Sequence, residues 1–395
     1  MALAGCARSC RATAPPEETA PSAAAWLTAD LDRLSHAPPE LQQRIVRSPH
    51  ALFRFVNQSW MQQVCEAFSD ELRSLPAVRL HGDAHVEQYA VTADARGLDD
   101  FDDSATGPAV IDLVRFLGSV ELTADQRGWS HAREAITNQL FDGYARALKD
   151  PGYLPPDPAV VRRLREEPLK TSAEFLAWAE SLMRPLPAEF LTRFKAGWPR
   201  FEEYARETDP ALTPAYVRVK RVGWLEMGIG SALRRKLLVR VEGRTAAPED
   251  DRIIEGKEVV TLRGVSCLDI PKSGEVFRPV EGPYQVGRLR NRILVVVPLV
   301  GPGRPESRGW WVRTWDPSYK EMEIEDLASV QELVEIAHDV GAQLGSANLA
   351  GIDDAVARQK RLMELETISR LDPQIREVAH RLAFSVLEAW QHLAR

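Results

Sequence analysis

Long apolar runs, a net positive charge and metal-type cysteine spacing are all missing from this chain of 395 residues. No stretch of about 18 apolar residues occurs, so we expect no membrane-spanning helix. The formal net charge of −7 argues against nucleic acid as a partner, because nucleic-acid-binding domains usually carry a basic excess. There are four cysteines, Cys6, Cys10, Cys65 and Cys267. They lack metal-site spacing and fit a reduced, cytoplasmic protein better than a disulfide framework.

We also expect no targeting signal at the N-terminus. Residues 3–6 (LAGC) look like a lipoprotein cleavage box, but only two residues precede it. A signal peptide needs a basic region and an apolar stretch before its cleavage site, so we do not expect lipidation. The stretch 1–24 is rich in Ala, Pro and Glu and is predicted to be a disordered tail.

What is present indicates a soluble α+β protein. Hydrophobic residues make up 44% of the chain and charged residues 27%, and the length suits two or three domains. Apolar residues recur at helical spacing through 25–212, including one predicted amphipathic helix over 51–75. Alternating patterns predict an antiparallel β domain over 213–320, with strands near 217–222, 237–243, 252–259, 292–300 and 310–315. Helical spacing returns over 321–395.

The segment 80–116 carries the main functional signal, LHGDAHVEQYAVTADARGLDDFDDSATGPAVIDLVRF. A short strand at 78–80 runs into the turn His81-Gly82-Asp83, which places a carboxylate at a strand end. A predicted hairpin, with strands at 89–91 and 97–98, holds both acidic clusters at one end. Asp83 is our candidate for a base that accepts a hydroxyl proton, with His81 beside it. The alternative is an ordinary polar turn.

A second acidic cluster follows the hairpin and contains Asp99, Asp100, Asp102 and Asp103. Four aspartates in five positions repel one another, and this repulsion favours a bound cation. Mg²⁺ is typically held by one or two carboxylates together with phosphates and water. Asp100 is therefore the predicted main ligand, with Asp102 or Asp103 assisting. The alternative is a solvated acidic loop.

Two further features are ambiguous from their local sequence. Gly228 and Gly230, followed by Ser231, could let a backbone loop approach phosphates, or could form a plain hairpin turn. Lys257 lies inside an apolar strand and either meets a buried anion or faces water at a sheet edge.

Two charged residues accompany these features. Asp112 is predicted to be the N-cap of an apolar helix. Arg54 either pairs with an acidic group of the site or extends to solvent.

These motifs resemble those of known families. HGDAHVEQ and LDDF are similar to the HGD-x-H-x-x-N and [ILV]-D-[FW] motifs of aminoglycoside and choline kinases. The chain resembles more closely a bacterial family catalogued as domain of unknown function 2252, whose stretches look like GDAHxxNFG and NDFDExxxGPxxxDLxRL. SPHALFRF, MGIGSALRR, EGKEV and WWVRTW are similar to that family's SPFAFFRG, VGVGSVGTR, QxKEA and YVRQL, in the same order over about residues 40–350.

The resemblance implies a two-lobed, protein-kinase-like fold that is circularly permuted, since the HGD motif precedes the β-rich segment. It implies that Asp83 is the base, that Asp100 binds Mg²⁺, and that Lys257 reaches the α/β phosphates of ATP. It further implies a phosphate loop at Gly228 and Gly230. Asp112 would brace the catalytic loop.

The chain departs from the family pattern at several positions. Gln88 stands where the family has a metal-binding Asn, and Leu233 stands where it has a third loop glycine. No acidic partner of Lys257 is evident, and Glu258 and Glu281 are the candidates.

The leading hypothesis is an ATP- and Mg²⁺-dependent phosphotransferase that acts on a hydroxyl of a small molecule; nucleotidyl transfer would use the same parts. A second hypothesis is a catalytically degenerate kinase-like module. A third is a metal-dependent hydrolase, because the H-x-D-x-H spacing puts His81, Asp83 and His85 on one side of an extended segment, with Asp100 as a further ligand.

Overall fold

The computed structural model describes the chain over the ranges 25–208, 217–225, 235–259, 261–262, 264–270, 275–289, 294–297, 309–347 and 354–395. Helices predominate before residue 209 and after residue 329, and most strands lie between them. The fold is therefore mixed α+β, as the sequence predicts.

The described helices, in chain order, are α1 Thr28–Ser35, α2 Pro39–Val46, α3 Pro49–Phe55, α4 Asn57–Ala67, α5 Val110–Arg127, α6 Arg133–Lys149, α7 Ala159–Glu166, α8 Ser172–Ser181, α9 Ala188–Thr208, α10 Arg278–Gln285, α11 Val330–Ser346 and α12 Asp354–Leu393. None of these helices is both long and apolar enough to span a membrane.

The described strands are β1 Ala77–Leu80, β2 Tyr89–Val91, β3 Arg96–Leu98, β4 Ala105–Pro108, β5 Met183–Arg184, β6 Val219–Leu225, β7 Lys236–Val241, β8 Arg252–Glu258, β9 Leu294–Val297, β10 Trp310–Thr314 and β11 Lys320–Glu321. They form a β1–β4 pair, a β11–β2–β3 sheet and a sheet of order β5–β6–β7–β8–β10–β9. All the strand pairs in them are antiparallel.

Helix α5 lies in the core of the helical region. Every residue from Val110 to Val120 is buried, including the charged Asp112 and Arg115. The helix packs against α12, α4 and α6, and α6 packs in turn along α11. Helix α5 follows the β2–β3 hairpin and its acidic residues 99–103, with β4 between them. The core therefore holds this acidic hairpin and the HGD turn in place.

The six-stranded sheet has one apolar face and one mixed face. Side chains alternate along each strand, and the apolar set includes Leu237, Ile254 and Trp310. These side chains pack against aromatic residues of α9 such as Phe194 and Trp198. The opposite face carries charged side chains and lines a cavity, so this sheet supplies one wall of the candidate site.

Most elements match the sequence expectation, and one clear error lies in the first helices. The helix predicted over 51–75 is broken at Val56, which ends α3 and begins α4, and the second helix stops at Ala67. Neither Pro nor Gly marks this break, which explains why helical spacing alone did not detect it. Helix α3 has a capped start, since the Ser48 side chain accepts the Ala51 N–H and Pro49 occupies the first turn.

The expectation of unpaired cysteines is wrong for one pair. Cys65 of α4 and Cys267 form a disulfide, with their Cα atoms 5.5 Å apart. The two residues are 202 positions apart in the chain, so their spacing gave no sign of the pairing. The bond joins α4 to the segment 264–270, which also pairs with β4 through Thr106 and Asp269.

Candidate functional site

The HGD turn follows β1 and contacts the acidic hairpin. Gly82 has φ +84°, and a Cβ atom at this position would lie 1.9 Å from the carbonyl oxygen of Asp103. Only glycine allows both this backbone conformation and this approach. The turn is held by Asp112, whose carboxylate oxygens accept the N–H groups of His81 at 2.7 Å and Gly82 at 2.9 Å.

Asp112 is therefore not the N-cap that its position predicted. The N-cap of α5 is Ala109, and Asp112 lies in the first turn of the helix with its carboxylate directed at the HGD backbone. This contact with the HGD backbone has the geometry of the brace that the family resemblance implies for Asp112. Burial raises the pKa of Asp112 to about 7, although the two N–H donors oppose the shift.

His81, expected beside the base, is fully buried and bonded within the loop. Its Nε2 lies 2.8 Å from the carbonyl oxygen of Asp99, and its Nδ1 accepts the N–H of Asp83 at 3.2 Å. Accepting at Nδ1 puts the ring proton on Nε2, which donates to Asp99. The structure thus directs His81 at the backbone that joins the two acidic clusters, and not at the cavity.

Asp83 opens on the cavity and is paired with a buried arginine. Oδ1 of Asp83 accepts from Nε of Arg115 at 3.0 Å and lies 2.8 Å from its Nη2. The guanidinium lies against the ring of Phe53, 3.5 Å from its centroid. Burial raises the pKa of Asp83 to about 6, while the Arg115 charge opposes the shift. The second oxygen, Oδ2, is 3.7 Å from Nε2 of His85.

The four aspartates after the hairpin point in different directions. Asp103 accepts from the Asn57 amide at 2.9 Å, and Asp99 pairs with Arg313 at 2.5 Å. Asp100 and Asp102 instead turn toward the sheet, where Asp100 Oδ1 is 2.6 Å and Asp102 Oδ2 is 3.5 Å from Nζ of Lys257. Only these last two converge on a single cation.

Asp100 also has an unusual backbone. Its φ of 61° and ψ of 72° place it in the left-handed region, and it is the one non-glycine residue with positive φ in the described part of the chain. Aspartate tolerates this conformation better than most residues, at some cost in free energy. In this conformation the Asp100 carboxylate contacts Lys257 and lines the cavity.

Lys257, at the end of β8, is almost fully buried. Burial lowers its pKa, but Asp100, Asp102 and Glu255 outweigh this effect and raise it above the usual value. Neither acidic partner considered from the sequence pairs with it. Glu281 binds Arg79 at 2.6 Å, and Glu258, the next residue along β8, projects to the other face of the sheet.

A cavity of about 500 Å³ lies between the sheet and the acidic loops. It brings together seven residues predicted from the sequence, Arg54, Asp83, Gln88, Asp100, Asp102, Asp103 and Lys257. Arg54 also pairs with Glu87 at 3.4 Å. The volume of the cavity falls in the range typical of small-molecule and cofactor sites. Gly228, Gly230, Ser231 and Leu233 lie outside the described residues.

The aromatic end of the cavity was not predicted. It is lined by Phe175 and Trp178 of α8, together with Leu225 and Trp315. The indole rings of Trp178 and Trp315 lie 5.6 Å apart, and Lys170 lies over Trp178. Flat apolar surfaces of this kind suit an aromatic ring.

The charged end also contains residues that the sequence analysis missed. Lys236, Glu255 and Arg313 line the cavity beside Lys257, and Arg115 lies behind Asp83. A weak signal existed for two of them. Glu255 precedes Lys257 by two residues on the same strand face, and Arg115 follows Asp112 by three on the same helix face.

The ligand set of the hydrolase hypothesis does not assemble. His81 is bonded to the loop backbone, and His85 is buried. Across the described ranges, no group of three or more His, Cys, Asp or Glu side chains is arranged to hold a metal ion by itself. The pair Asp100 and Asp102 fits a site that phosphate oxygens would complete.

One comparison with known proteins gives a match. The profile of a family described as an uncharacterized protein conserved in bacteria (DUF2252) matches residues 33–174. This region includes the HGD turn, the acidic hairpin and α5, and it excludes the sheet that carries Lys257. No curated protein and no solved structure matches the chain.

Proposed function

We propose that the chain is an ATP- and Mg²⁺-dependent phosphotransferase that acts on a hydroxyl group of a small molecule, and that it is related to this bacterial family beyond the matched region. The observation that carries the proposal is the contact between Lys257 and Asp100, which is 2.6 Å long. The two residues are 157 positions apart in the chain, and both line a cavity that Asp83 also lines. A base, a metal-type carboxylate pair and a lysine are the parts that phosphoryl transfer requires.

In this proposal the triphosphate lies at the charged end of the cavity and the base ring at the aromatic end. Asp100 and Asp102 would hold Mg²⁺, whose charge would offset that of the phosphate oxygens. Lys257, which contacts both of these carboxylates, would turn to the phosphates. Gln88 lines the same cavity and would supply an amide oxygen.

Asp83 would accept the proton of the acceptor hydroxyl. The hydroxyl oxygen would at the same time bond to the γ-phosphorus, and ADP would leave. Two observations support this role. Arg115 binds Oδ1 and so fixes the direction of the carboxylate, and the pKa of about 6 leaves Asp83 mostly ionised at neutral pH. The backbone of the turn is held in addition by Asp112 and His81.

The order of the elements supports a circularly permuted, kinase-like fold. The HGD turn and acidic hairpin precede the six-stranded sheet in the chain, and α11 and α12 then return to the helical region to pack on α6 and α5. The sheet and the helical region thus lie on either side of the cavity, as the two lobes of a kinase would.

A nucleotide-binding module without catalysis is the second candidate. It is favoured by the Asp83–Arg115 pair, because an arginine bound to one carboxylate oxygen weakens that carboxylate as a base. Both candidate functions include nucleotide binding, so a measurement of ATP turnover is needed to separate them.

Asp100→Asn tests the metal site, with Asp94→Asn as the matched control on the exposed turn of the same hairpin. We expect Asp100→Asn to raise the Mg²⁺ concentration for half-maximal ATP binding by about tenfold or more, because a ligand charge is lost. Asp94→Asn should bind like the wild type. Equal Mg²⁺ requirements for both variants would remove Asp100 from the metal site.

A further inference from the structure

Lys236 is the first residue of β7 and faces the same cavity as Lys257. The two lysines are directly opposite each other in the antiparallel β7–β8 pair, so their side chains project from the same face of the sheet. The Lys236 side chain lines the cavity, and only 7% of the residue is exposed.

Among the described residues, none forms an ion pair with Lys236. In the described part of the chain, no carboxylate lies within 4.0 Å of its ammonium group and no hydrogen-bond acceptor is assigned to it. The nearby acids are engaged by other cations, Asp100 and Asp102 by Lys257 and Glu255 by Arg313.

Such an arrangement is costly in free energy. Burying an ammonium group without an anion is unfavourable, and two like charges directly across a strand pair repel each other. Burial and the Lys257 charge accordingly lower the pKa of Lys236. An anion bound between the two lysines would relieve both costs.

We propose that Lys236 and Lys257 form a two-lysine clamp for the phosphate groups of the nucleotide, with Lys236 as a phosphate-binding residue. The inference rests on the proposed function for the identity of the anion. Its geometric basis is the cross-strand register of the pair and the opening of both side chains on a cavity that carries a metal-type carboxylate pair. Lysine is a common phosphate ligand and binds as a point charge.

The test compares Lys236→Met with Lys195→Met, a lysine variant on the exposed side of α9. MgATP, inorganic tripolyphosphate with Mg²⁺, and adenosine are titrated into each protein by calorimetry. We expect Lys236→Met to bind MgATP and tripolyphosphate about tenfold or more weakly, because one charge-assisted contact is lost, and to bind adenosine like the wild type. Lys236→Arg should restore most of the affinity.

A thermal melt without ligand checks that the variant folds. Lys236→Met should unfold at the wild-type temperature or above it, since an unpaired buried charge has been removed. Lys257→Met should unfold at a lower temperature, because it leaves Asp100 and Asp102 without their cation.

The outcomes separate this inference from the proposed function. If the wild type binds MgATP and Lys236→Met binds it equally well, the clamp is overturned and the proposed function stands. If tripolyphosphate binds in a Lys236-dependent way and MgATP does not bind, the clamp stands and the nucleotide is wrong. If the wild type binds neither, both are overturned.

Discussion

At the residue scale, the direction of Asp83 is set by side chains that do not face the cavity. Asp112 accepts the N–H groups of His81 and Gly82 within the turn, His81 links the turn to Asp99, and Arg115 holds Oδ1 of Asp83. Because each contact is buried, water cannot replace it at low cost. The direction of the Asp83 carboxylate is thus fixed by contacts within the fold.

The protonation of Asp83 gives a prediction for activity. Its pKa of about 6 means that the carboxyl is neutral below that pH and cannot accept a proton there. We expect ATP consumption to rise as the pH increases from about 5 to 7. Asp83→Asn should lower the rate by about 10²–10⁴-fold and remove this rise, and should bind MgATP about as tightly as the wild type.

Initial rates of ADP release between pH 5 and 8 provide the measurement, with Asp94→Asn as the control for a lost carboxylate charge. A pH profile in Asp83→Asn that matches the wild type would show that another group accepts the proton. Release of ADP would indicate phosphoryl transfer, whereas nucleotidyl transfer would release pyrophosphate and join AMP to the acceptor.

At the element scale, the site depends on two loops that touch. The HGD turn lies against the 3₁₀ turn Phe101–Asp103, and Gly82 leaves no room for a Cβ atom between them. Asn57, at the start of α4, spans the contact by donating to both the Gly82 carbonyl and Asp103. A change in this contact would therefore move both acidic clusters.

Gly82→Ala and Gly128→Ala make a matched pair for this contact. Both glycines have positive φ, but a Cβ atom at Gly128 meets nothing within 4 Å, whereas at Gly82 it meets the Asp103 backbone. Gly128→Ala should lower the free energy of unfolding by only about 1–2 kcal/mol, from backbone strain. Gly82→Ala should lower it further, because backbone must also shift.

Urea denaturation followed by circular dichroism measures both free energies of unfolding. Equal losses for the two variants would mean that the HGD turn and the acidic turn are not packed as described. A larger loss at Gly128 would contradict the account in the same way.

The elements that the sequence predicted are those with local signals. The strand before HGD, the hairpin after it and helix α5 all follow from spacing within a few residues, and each lies close to its predicted position. The break at Val56 has no local signal, and the two-residue strands β5 and β11 are too short to show alternation. The break and the two short strands were missed because the local sequence carries no signal for them.

At the scale of the whole molecule, the cavity is acidic. Nine carboxylates line it, from Asp83, Asp99, Asp100, Asp102, Asp103, Glu255, Asp316, Glu321 and Glu323. Five cationic side chains oppose them, from Arg54, Lys170, Lys236, Lys257 and Arg313. A triphosphate that enters this cavity needs further positive charge, so the account predicts a strict requirement for divalent cations.

The partners across the cavity could not be read from the sequence. Lys257 and Asp100 are 157 positions apart, and nothing in either local stretch identifies the other. The sequence suggested Glu258 and Glu281 as substitutes for the acidic residue of the family pattern, but strand alternation and the Arg79 pair direct them elsewhere. Lys236 was missed for a similar reason, since only the β7–β8 register places it opposite Lys257.

Calorimetric titration of the purified protein with ATP, first with Mg²⁺ and then with excess EDTA, tests the central claim most directly. Lys257→Met and Lys195→Met serve as the variant and its control, a buried cavity lysine and an exposed one. The account predicts that ATP binds with Mg²⁺, that EDTA abolishes binding, and that only Lys257→Met loses it. No binding of ATP to the wild type under either condition, or unchanged binding in Lys257→Met, would contradict the account.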